Sequence, residues 1–505
     1  MKNKAAYIAI GVVLLLGAAT AGASAYTGRA VTSRLSQQTA QVGKLVPELH
    51  VEEKIEPGLF RSSRQVKLQL GCAPLPAADG QGVTRSESIE VYWRDVVHHV
   101  PFLSARGKVA SIDSELVIVS AGVEQLFGTR APLTVHTNID LQGRFESDAK
   151  LVAFKVAPKP GDELEFSGLS MHVTGSFPDG AGTFSYAGNS APTRIRAKAE
   201  DGDFTASLGR MDLKGNLLID PAAATFLLPY HSEARIGDMT VQVAGPARDG
   251  GAPLSFQLAV SGVTATADSK IADGLLSNTN HVQGSVKLDS FAIDKFEMAS
   301  ALNNLHVPTL TKLTRTWLSR SLSCEAQQSP EELLKQFDEL AKSAFELLPY
   351  APEYKVGPIA IELGGKRAEL VYTVGVRGVA AGGAPDVTEL MTKHAYANAE
   401  AKLHLGLVDQ FAAWASKLGA STLGRNQQVA LQQAGPDPAA MMARGMIEGF
   451  VQQGFLERDG ETVRGKVEYA EGAVKLNGRP FELPDFGADL GAMKSLLAAD
   501  QPDEQ

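Results

Sequence analysis

The stretch PLTVHTNIDLQGRF, residues 132–145, decides the fold class. Leu133, Val135, Ile139, Leu141 and Phe145 fall on one parity, and His136, Asn138, Asp140, Gln142 and Arg144 on the other. Successive side chains of a strand point to opposite faces, so this alternation predicts one long strand of a sheet with a single dry face. The next segment repeats the pattern with a slip. Leu164 and Phe166 share one parity, whereas Leu169, Met171, Val173 and Phe177 share the other, which predicts a β-bulge near Gly168. Similar runs lie near 114–119, 194–199, 205–219, 237–243, 254–260, 282–296, 356–363 and 368–377. Pro178-Asp179-Gly180, Asp201-Gly202 and Asp249-Gly250 are turn signals between them. Strand, turn and strand recur without a strict sequence repeat, as in an extended antiparallel sheet.

Helical signals come late. Ser329-Pro330-Glu331-Glu332 is a capping box with proline at the first helical position. Leu333, Phe337, Leu340, Ala344 and Leu347 follow at helical spacing until Pro349. A second helix is predicted over 408–418, with Phe411, Trp414, Ala415 and Leu418 on one face. A third is predicted over 437–453, with Met442, Met446 and Phe450 along one side and Gly445 and Gly449 four apart, a spacing that permits close helix approach. Asp459-Gly460, Glu471-Gly472 and Asn477-Gly478 then mark a β-meander. The predicted class is α+β, mainly β: an extended, curved antiparallel sheet with late helices packed on it, behind an N-terminal membrane or signal helix. The expected division is 1–28 anchor or signal segment, 29–325 β-rich region, 326–488 mixed region ending in the meander, and 489–505 tail.

The 505 residues carry a net charge of −9, with 44% hydrophobic and 21% charged residues. That suits a globular chain, and the absence of a basic stripe argues against nucleic acid as a partner. Residues 5–26 contain no charge and are long enough to cross a bilayer, with Lys2 and Lys4 on the cytoplasmic side. Ala23-Ser24-Ala25 also fits a signal-peptidase site. An uncleaved anchor in the inner membrane and a soluble periplasmic product are the two outcomes. Either delivers the body across the membrane. Cys72 and Cys324 could pair there or remain thiols.

Chemistry-bearing motifs are scarce. VVHHVPF, residues 96–102, sets His98 beside His99, but adjacent strand residues face opposite ways and cannot share one metal ion without a sharp bend. His136 and His172 lie on the polar parity of their strands. The chain lacks HExxH, G-x-S-x-G and a P-loop, and Gly375, Gly378, Gly382 and Gly383 are misspaced for a dinucleotide loop. Glu52-Glu53 is an ordinary pair in an acidic protein, and Glu331-Glu332 is accounted for by capping. No catalytic, cofactor or metal residue is predicted, and no cofactor.

Four places nevertheless resemble the YdgA family of bacterial envelope proteins, a domain family of unknown function. They are the apolar helix running into Gly22-Ala23-Ser24-Ala25-Tyr26-Thr27-Gly28, the strand Gly58-Leu59-Phe60-Arg61-Ser62-Ser63 with Val66, Leu68 and Leu70, the run His99-Val100-Pro101-Phe102, and the hairpin Tyr469 to Gly478. Val100 stands where the family has glycine, and valine does not comfortably adopt positive φ. The resemblance implies a periplasm-facing inner-membrane protein that self-associates. It gives His99, Pro101, Phe102, Tyr469, Gly472, Asn477 and Gly478 structural rather than catalytic roles. The leading expectation is a non-enzymatic interaction or scaffold protein, with a homodimer as its expected form. The alternative is a carrier of lipid or another amphipathic ligand in a β-sheet groove, by likeness to the general look of AsmA-like β-groove proteins. An enzyme acting on envelope polymers is a third reading.

Overall fold

The computed structural model describes residues 31–33, 35–37, 39–40, 50–76, 83–99, 108–119, 127, 130–140, 142–157, 159–176, 182–199, 202–219, 229–245, 254–289, 291–322, 342–383, 385–422 and 438–482. The chain is mainly strand, in a large antiparallel sheet arrangement that does not close. It divides into two compact units, Met1–Leu347 and Leu348–Gln505. The change from strand alternation to helical signals in the sequence places the division at 325/326. The predicted helix after Ser329 lies mostly outside the described residues, and only its end, 342–345, is seen to be helical.

The first unit opens with β1 (His50–Glu56), β2 (Arg61–Pro76), β3 (Val83–His99), β4 (Lys108–Val119) and β5 (Leu133–Asp140), each antiparallel to the next. The stretch 132–145 is not one strand, as its parity suggested, but a hairpin from β5 into β6 (Arg144–Leu151). Gly143 turns it at φ 75°, and the Asp140 carboxylate accepts from the backbone of Gln142 and Arg144, each at 2.9 Å. Ile139 lies opposite Phe145, so both remain on the dry face.

From β6 onward the strands come in collinear halves. They are β6 with β7 (Phe154–Val156), β8 (Glu163–Phe166) with β9 (Leu169–Ser176), β10 (Gly182–Ser190) with β11 (Thr193–Ala199), β12 (Gly202–Leu208) with β13 (Met211–Ile219), and β14 (Tyr230–Ile236) with β15 (Met239–Gly245). The long strands β16 (Leu254–Ala272), β17 (Leu275–Leu288) and β18 (Phe291–His306) span both halves. On one side of the break the order is β5-β6-β9-β10-β13-β14-β16. On the other it is β7-β8-β11-β12-β15-β16. The expected bulge at Gly168 is one point on this transverse seam. The runs 205–219 and 282–296, each expected as one strand, are likewise two.

The seam has a common step. Apolar positions on its two sides are three residues apart: Leu151 and Phe154, Phe166 and Leu169, Leu208 and Met211, Ile236 and Met239, Val260 and Val263, Ile293 and Phe296. The pairings align Leu151, Leu169, Ser190, Met211, Ile236 and Val263 in one row, and Phe154, Phe166, Thr193, Leu208, Met239, Val260, Val286 and Ile293 in the row beyond it. A step of two keeps a side chain on its face, and the extra residue at each break offsets the local turn of the backbone. In β16 and β18 it is an in-strand bulge. β17 itself carries no extra residue, and Val282, Gly284, Val286 and Leu288 alternate straight through. The dry face is therefore continuous across the seam. Gly209 and Gly237 let the backbones close there, with Gly209 N–H donating to Asp238 O at 2.8 Å and Gly237 N–H to Arg210 O at 2.7 Å. A Cβ on Gly209 would lie 2.9 Å from Asp238 backbone atoms.

β18 runs directly into α1 (Val307–Leu322), a helix missed in the sequence. The second unit pairs β19 (Glu353–Leu363), β20 (Lys366–Val376), β21 (Ala395–His404) and β23 (Thr462–Ala470) in that order. β22 (Glu457–Asp459), β24 (Ala473–Leu476) and β25 (Arg479–Phe481) complete the expected meander. α2 (Leu405–Thr422) buries Leu405, Leu407 and Ala412. It packs on α3 (Pro438–Gln452), with the Arg444 guanidinium donating twice to the Asp409 carboxylate. Among the described residues nothing lies within 4 Å of where Gly445 or Gly449 would carry a Cβ, so these glycines make no close helix approach there.

Two glycines on the dry face give a direct test. A Cβ at Gly175 would meet the Phe145 ring at 2.7 Å and Phe184 at 3.0 Å, and one at Gly284 would meet Phe296 at 2.7 Å. Each ring lies across the strand beside a glycine. Gly175→Val is expected to destabilise the first unit by about 1–3 kcal/mol through overpacking, whereas Thr174→Val, facing the other way, stays within about 0.5 kcal/mol. Urea unfolding midpoints distinguish the two.

Candidate functional site

The most extended feature of the first unit is its dry face. Four transverse rows cross β5 to β14 on one side of the seam. One runs Ile139, Phe145, Gly175, Phe184, Leu217 and Tyr230, and another runs Val135, Ala149, Met171, Gly188, Leu213 and Ala234. Beyond the seam, Val156, Leu164, Ile195, Ala206, Val241, Leu258, Leu288 and Phe291 form a further row. At about 4.8 Å per strand, the span from β5 to β18 is on the order of 40 Å. Phe184 is the one large apolar side chain described in β5–β16 that is buried; most of the others are half-buried and Ile195 is 42% exposed. Phe127, a helical residue ahead of β5, sets its ring edge-on to Phe154 at 5.3 Å; among the described residues no longer helix is laid along these strands.

At the β2–β4 end the same face is covered. Val66, Val91, Val97, Val109, Ala110 and Ile112 form the buried core there, beneath helical residues 31–33, 35–37 and 39–40 and α1. Arg64 and Asp95 are buried in it, at 6% and 2% exposure. Asp95 accepts from Arg64 and, at 2.6 Å, from Ser114, while Arg64 also reaches Glu53, the Leu35 carbonyl and Thr39. This network ties the helical segment to β1–β4, and every guanidinium nitrogen has a partner. It leaves no charge free to receive a ligand.

His98 and His99 point to opposite faces, as strand geometry requires. His99 is buried; its Nδ1–H donates to the Leu59 carbonyl at 3.1 Å, which leaves Nε2 of the neutral ring to accept from the Ser62 hydroxyl at 3.1 Å. The pairing resembles a nucleophile and base, but both groups are more than nine-tenths buried and pin β2 to β3, beside the exposed Leu59 and Phe60. Pro101 and Phe102 lie outside the described residues. At the other end of the chain, the Tyr469 hydroxyl donates to the Met391 carbonyl at 2.7 Å. Glu471-Gly472 and Asn477-Gly478 are two-residue hairpin turns with positive φ at both positions. Asn477 also donates to the carbonyls of Gly454 and Phe455, fastening the meander to the end of α3. His99 lies in the first unit, and Tyr469, Gly472, Asn477 and Gly478 lie in the second.

The opposite, wet face of the first unit carries histidines bonded to acids. His98 Nε2–H and His136 Nδ1–H donate to the two oxygens of Asp113, at 3.0 and 2.6 Å. The hydrogen bond from His136, joined by that from His98, holds the Asp113 carboxyl below its ordinary value. Among the described residues no group of three His, Cys, Asp or Glu side chains is arranged to hold a metal ion. In the second unit a shallow depression of about 270 Å³ is lined by Glu400, Glu457, Arg464, Gly465, Lys466 and Asn477, charges already paired among neighbours. Among the described residues no helix is long and apolar enough to cross a membrane; residues 5–26, the expected anchor, lie outside them, as do the side chains of Cys72 and Cys324.

Sequence reading found the alternation but missed the seam. The available signal was Leu208-Gly209-Arg210-Met211 repeated one hairpin later as Ile236-Gly237-Asp238-Met239: apolar, glycine, charge, methionine. The covered end also gives a test. Asp95→Ala leaves Arg64 Nη1 and the Ser114 hydroxyl buried without their acceptor, Glu53 remaining on Nε, and is expected to cost about 3 kcal/mol, against less than about 1 kcal/mol for Asp113→Asn at the exposed face, read from urea unfolding.

No solved structure matches the chain. Among curated proteins, it is similar to Protein YdgA of Escherichia coli (strain K12), 23% identical over 517 residues and covering 95% of both chains. The model of the family described as "Bacterial protein of unknown function (DUF945)" matches residues 1–484. That match spans the segment from the N-terminus to the Asn477-Gly478 turn, and the chain belongs to the DUF945 family.

Proposed function

We propose that this protein carries a lipid or another amphipathic ligand, laying its acyl chains against the dry face of β5–β18. The supporting observation is the set of mainly apolar rows on both sides of the seam, interrupted by one row that carries Thr137, Ser147 and Ser232, with Phe127 the described helical residue seen against them. Apolar surface left in water costs roughly 25 cal/mol per Å², and an acyl chain satisfies such a face without any catalytic group. The seam favours the same reading, because its extra residues keep apolar side chains on one side over both halves of the sheet. In this proposal residues 5–26 hold the protein at the inner membrane, or direct it to the periplasm by cleavage near Ala25, and the sheet takes lipid there.

A second reading, an interaction or scaffold module, has its own support. On α3, Met441, Met442 and Met446 are 63%, 66% and 57% exposed and Phe450 stands beside them, a stripe suited to a protein partner or a second copy of the chain.

Mild-detergent purification followed by native mass spectrometry and lipid extraction tests the first reading, with displacement of a dansyl-labelled fatty acid as the binding assay. Met171→Glu and Leu213→Glu, on the dry face, are expected to weaken probe binding at least about tenfold, since each buries a charge against the chain. Thr174→Glu on the wet face leaves binding unchanged. Absence of lipid above background, together with equal probe binding in all variants, overturns the carrier reading. A lipid-free dimer dissociated by Met446→Glu promotes the second.

A further inference from the structure

The wet face of the first unit has a regularity that neither reading uses. Five histidines stand on it, each bonded to a carboxylate of an adjacent strand. His98 of β3 and His136 of β5 share Asp113 of β4. His172 of β9 donates to Asp148 of β6 at 2.9 Å, with Glu146 at 3.6 Å. His231 of β14 donates to Asp268 of β16 at 2.9 Å and, through its other nitrogen, to Glu233 at 3.2 Å. His281 of β17 meets Glu297 of β18 at 3.1 Å. The register sets Asp113, His136, Asp148 and His172 side by side on β4, β5, β6 and β9, acid and imidazole alternating.

We propose that this face is a proton-responsive brace: mild acidification charges the five imidazoles and tightens the cross-strand bonds that hold the dry face open behind them. A neutral imidazole gives a carboxylate one hydrogen bond, while an imidazolium adds a charge and a second donor. His231 has both nitrogens on carboxylates, the arrangement of a charged ring. The bond to Asp268, then that to Glu233, pushes its imidazole above the ordinary value.

Other charges face these rings and set the balance. Arg61 of β2 lies opposite His98, while Asp148 of β6 lies opposite His136. His172 faces Ala187 on its β10 side, with Lys150 two residues from Asp148. Beside His231, Lys214 of β13 pairs with Glu233, and beside His281 Lys295 shares Glu297, with Thr266 across on β16. Acids outnumber these bases around the rings. The sign follows from His231: a raised imidazole value contributes stability below the unfolded value and loses it as pH rises through the folded one. Asp113 and Glu233, held low, keep their contribution until the pH falls through their own lowered values. The brace is therefore firmest between the carboxylate and imidazole ranges.

The test uses the full chain, whether or not lipid is bound, with amide exchange followed peptide by peptide at about pH 5.5 and about pH 7.5. Rates are corrected for intrinsic exchange. Peptides of β4, β5, β6 and β9 are expected to be about threefold better protected at the lower pH. In His136→Gln/His172→Gln that gain disappears from β5, β6 and β9 but persists in β14 to β18, and in His231→Gln it disappears from β14 but persists in β5, β6 and β9. Second-unit peptides bearing His394 and His404 show no such gain. An equal gain in wild type and both variants, or none in wild type, overturns the proposal. The substituted side chains are solvent-facing, and the unaffected half of the sheet in each variant reports that it has folded.

Discussion

Everything in the first unit follows from one constraint: backbone hydrogen bonding fixes which residues lie side by side, and every strand must keep its apolar side chains on the same side of that ladder. A one-residue slip would turn a strand's whole apolar set to the wrong face. The seam meets this demand at each break with the same three-residue step. Neighbouring strands take it at the same level, so their hydrogen bonds still match across it. β17, which needs no step, shows that the faces on the two sides of the seam are one face.

That constraint makes the two faces unlike. The dry face is packed at one end around Arg64 and Asp95 and is half-buried elsewhere. A buried ion pair is poor evidence for stability in itself, but here it fixes where the covered end lies, because its hydrogen bonds need the helical segment and strands β1 to β4 together. The wet face is held by exposed pairs that are individually weak. Structure on one side of the sheet is thus set by packing, and on the other by charge that responds to its medium.

Much of this was legible in the sequence, for physical reasons. Period-two alternation gave the strands and the dry face. Glu471-Gly472 and Asn477-Gly478 gave the closing hairpins, because positive φ selects such residues. Asp437-Pro438 gave the start of α3. The hairpin at Gly143 was hidden because Leu141 and Phe145 continue, in the sequence, the parity of Leu133, Val135 and Ile139. α1 was missed because threonines at 309, 311, 314 and 316 weaken helix propensity and read as strand. The pairing of distant histidines and acids depends on register, which alternation alone does not supply. His99 was legible as a strand residue, but its hold on Ser62 and Leu59 depends on the packing of β2 against β3.

The collinear halves have a consequence for how such a chain changes length. Each bent strand from β6 to β15 carries its own seam step and turns back on its neighbour. Removing β10 through β13 as a block would leave β9 beside β14, still antiparallel and with both dry-face rows intact. The sheet can therefore be widened or narrowed in steps of two bent strands. Relatives that differ in size by such a block would keep the same cross-section and differ in reach.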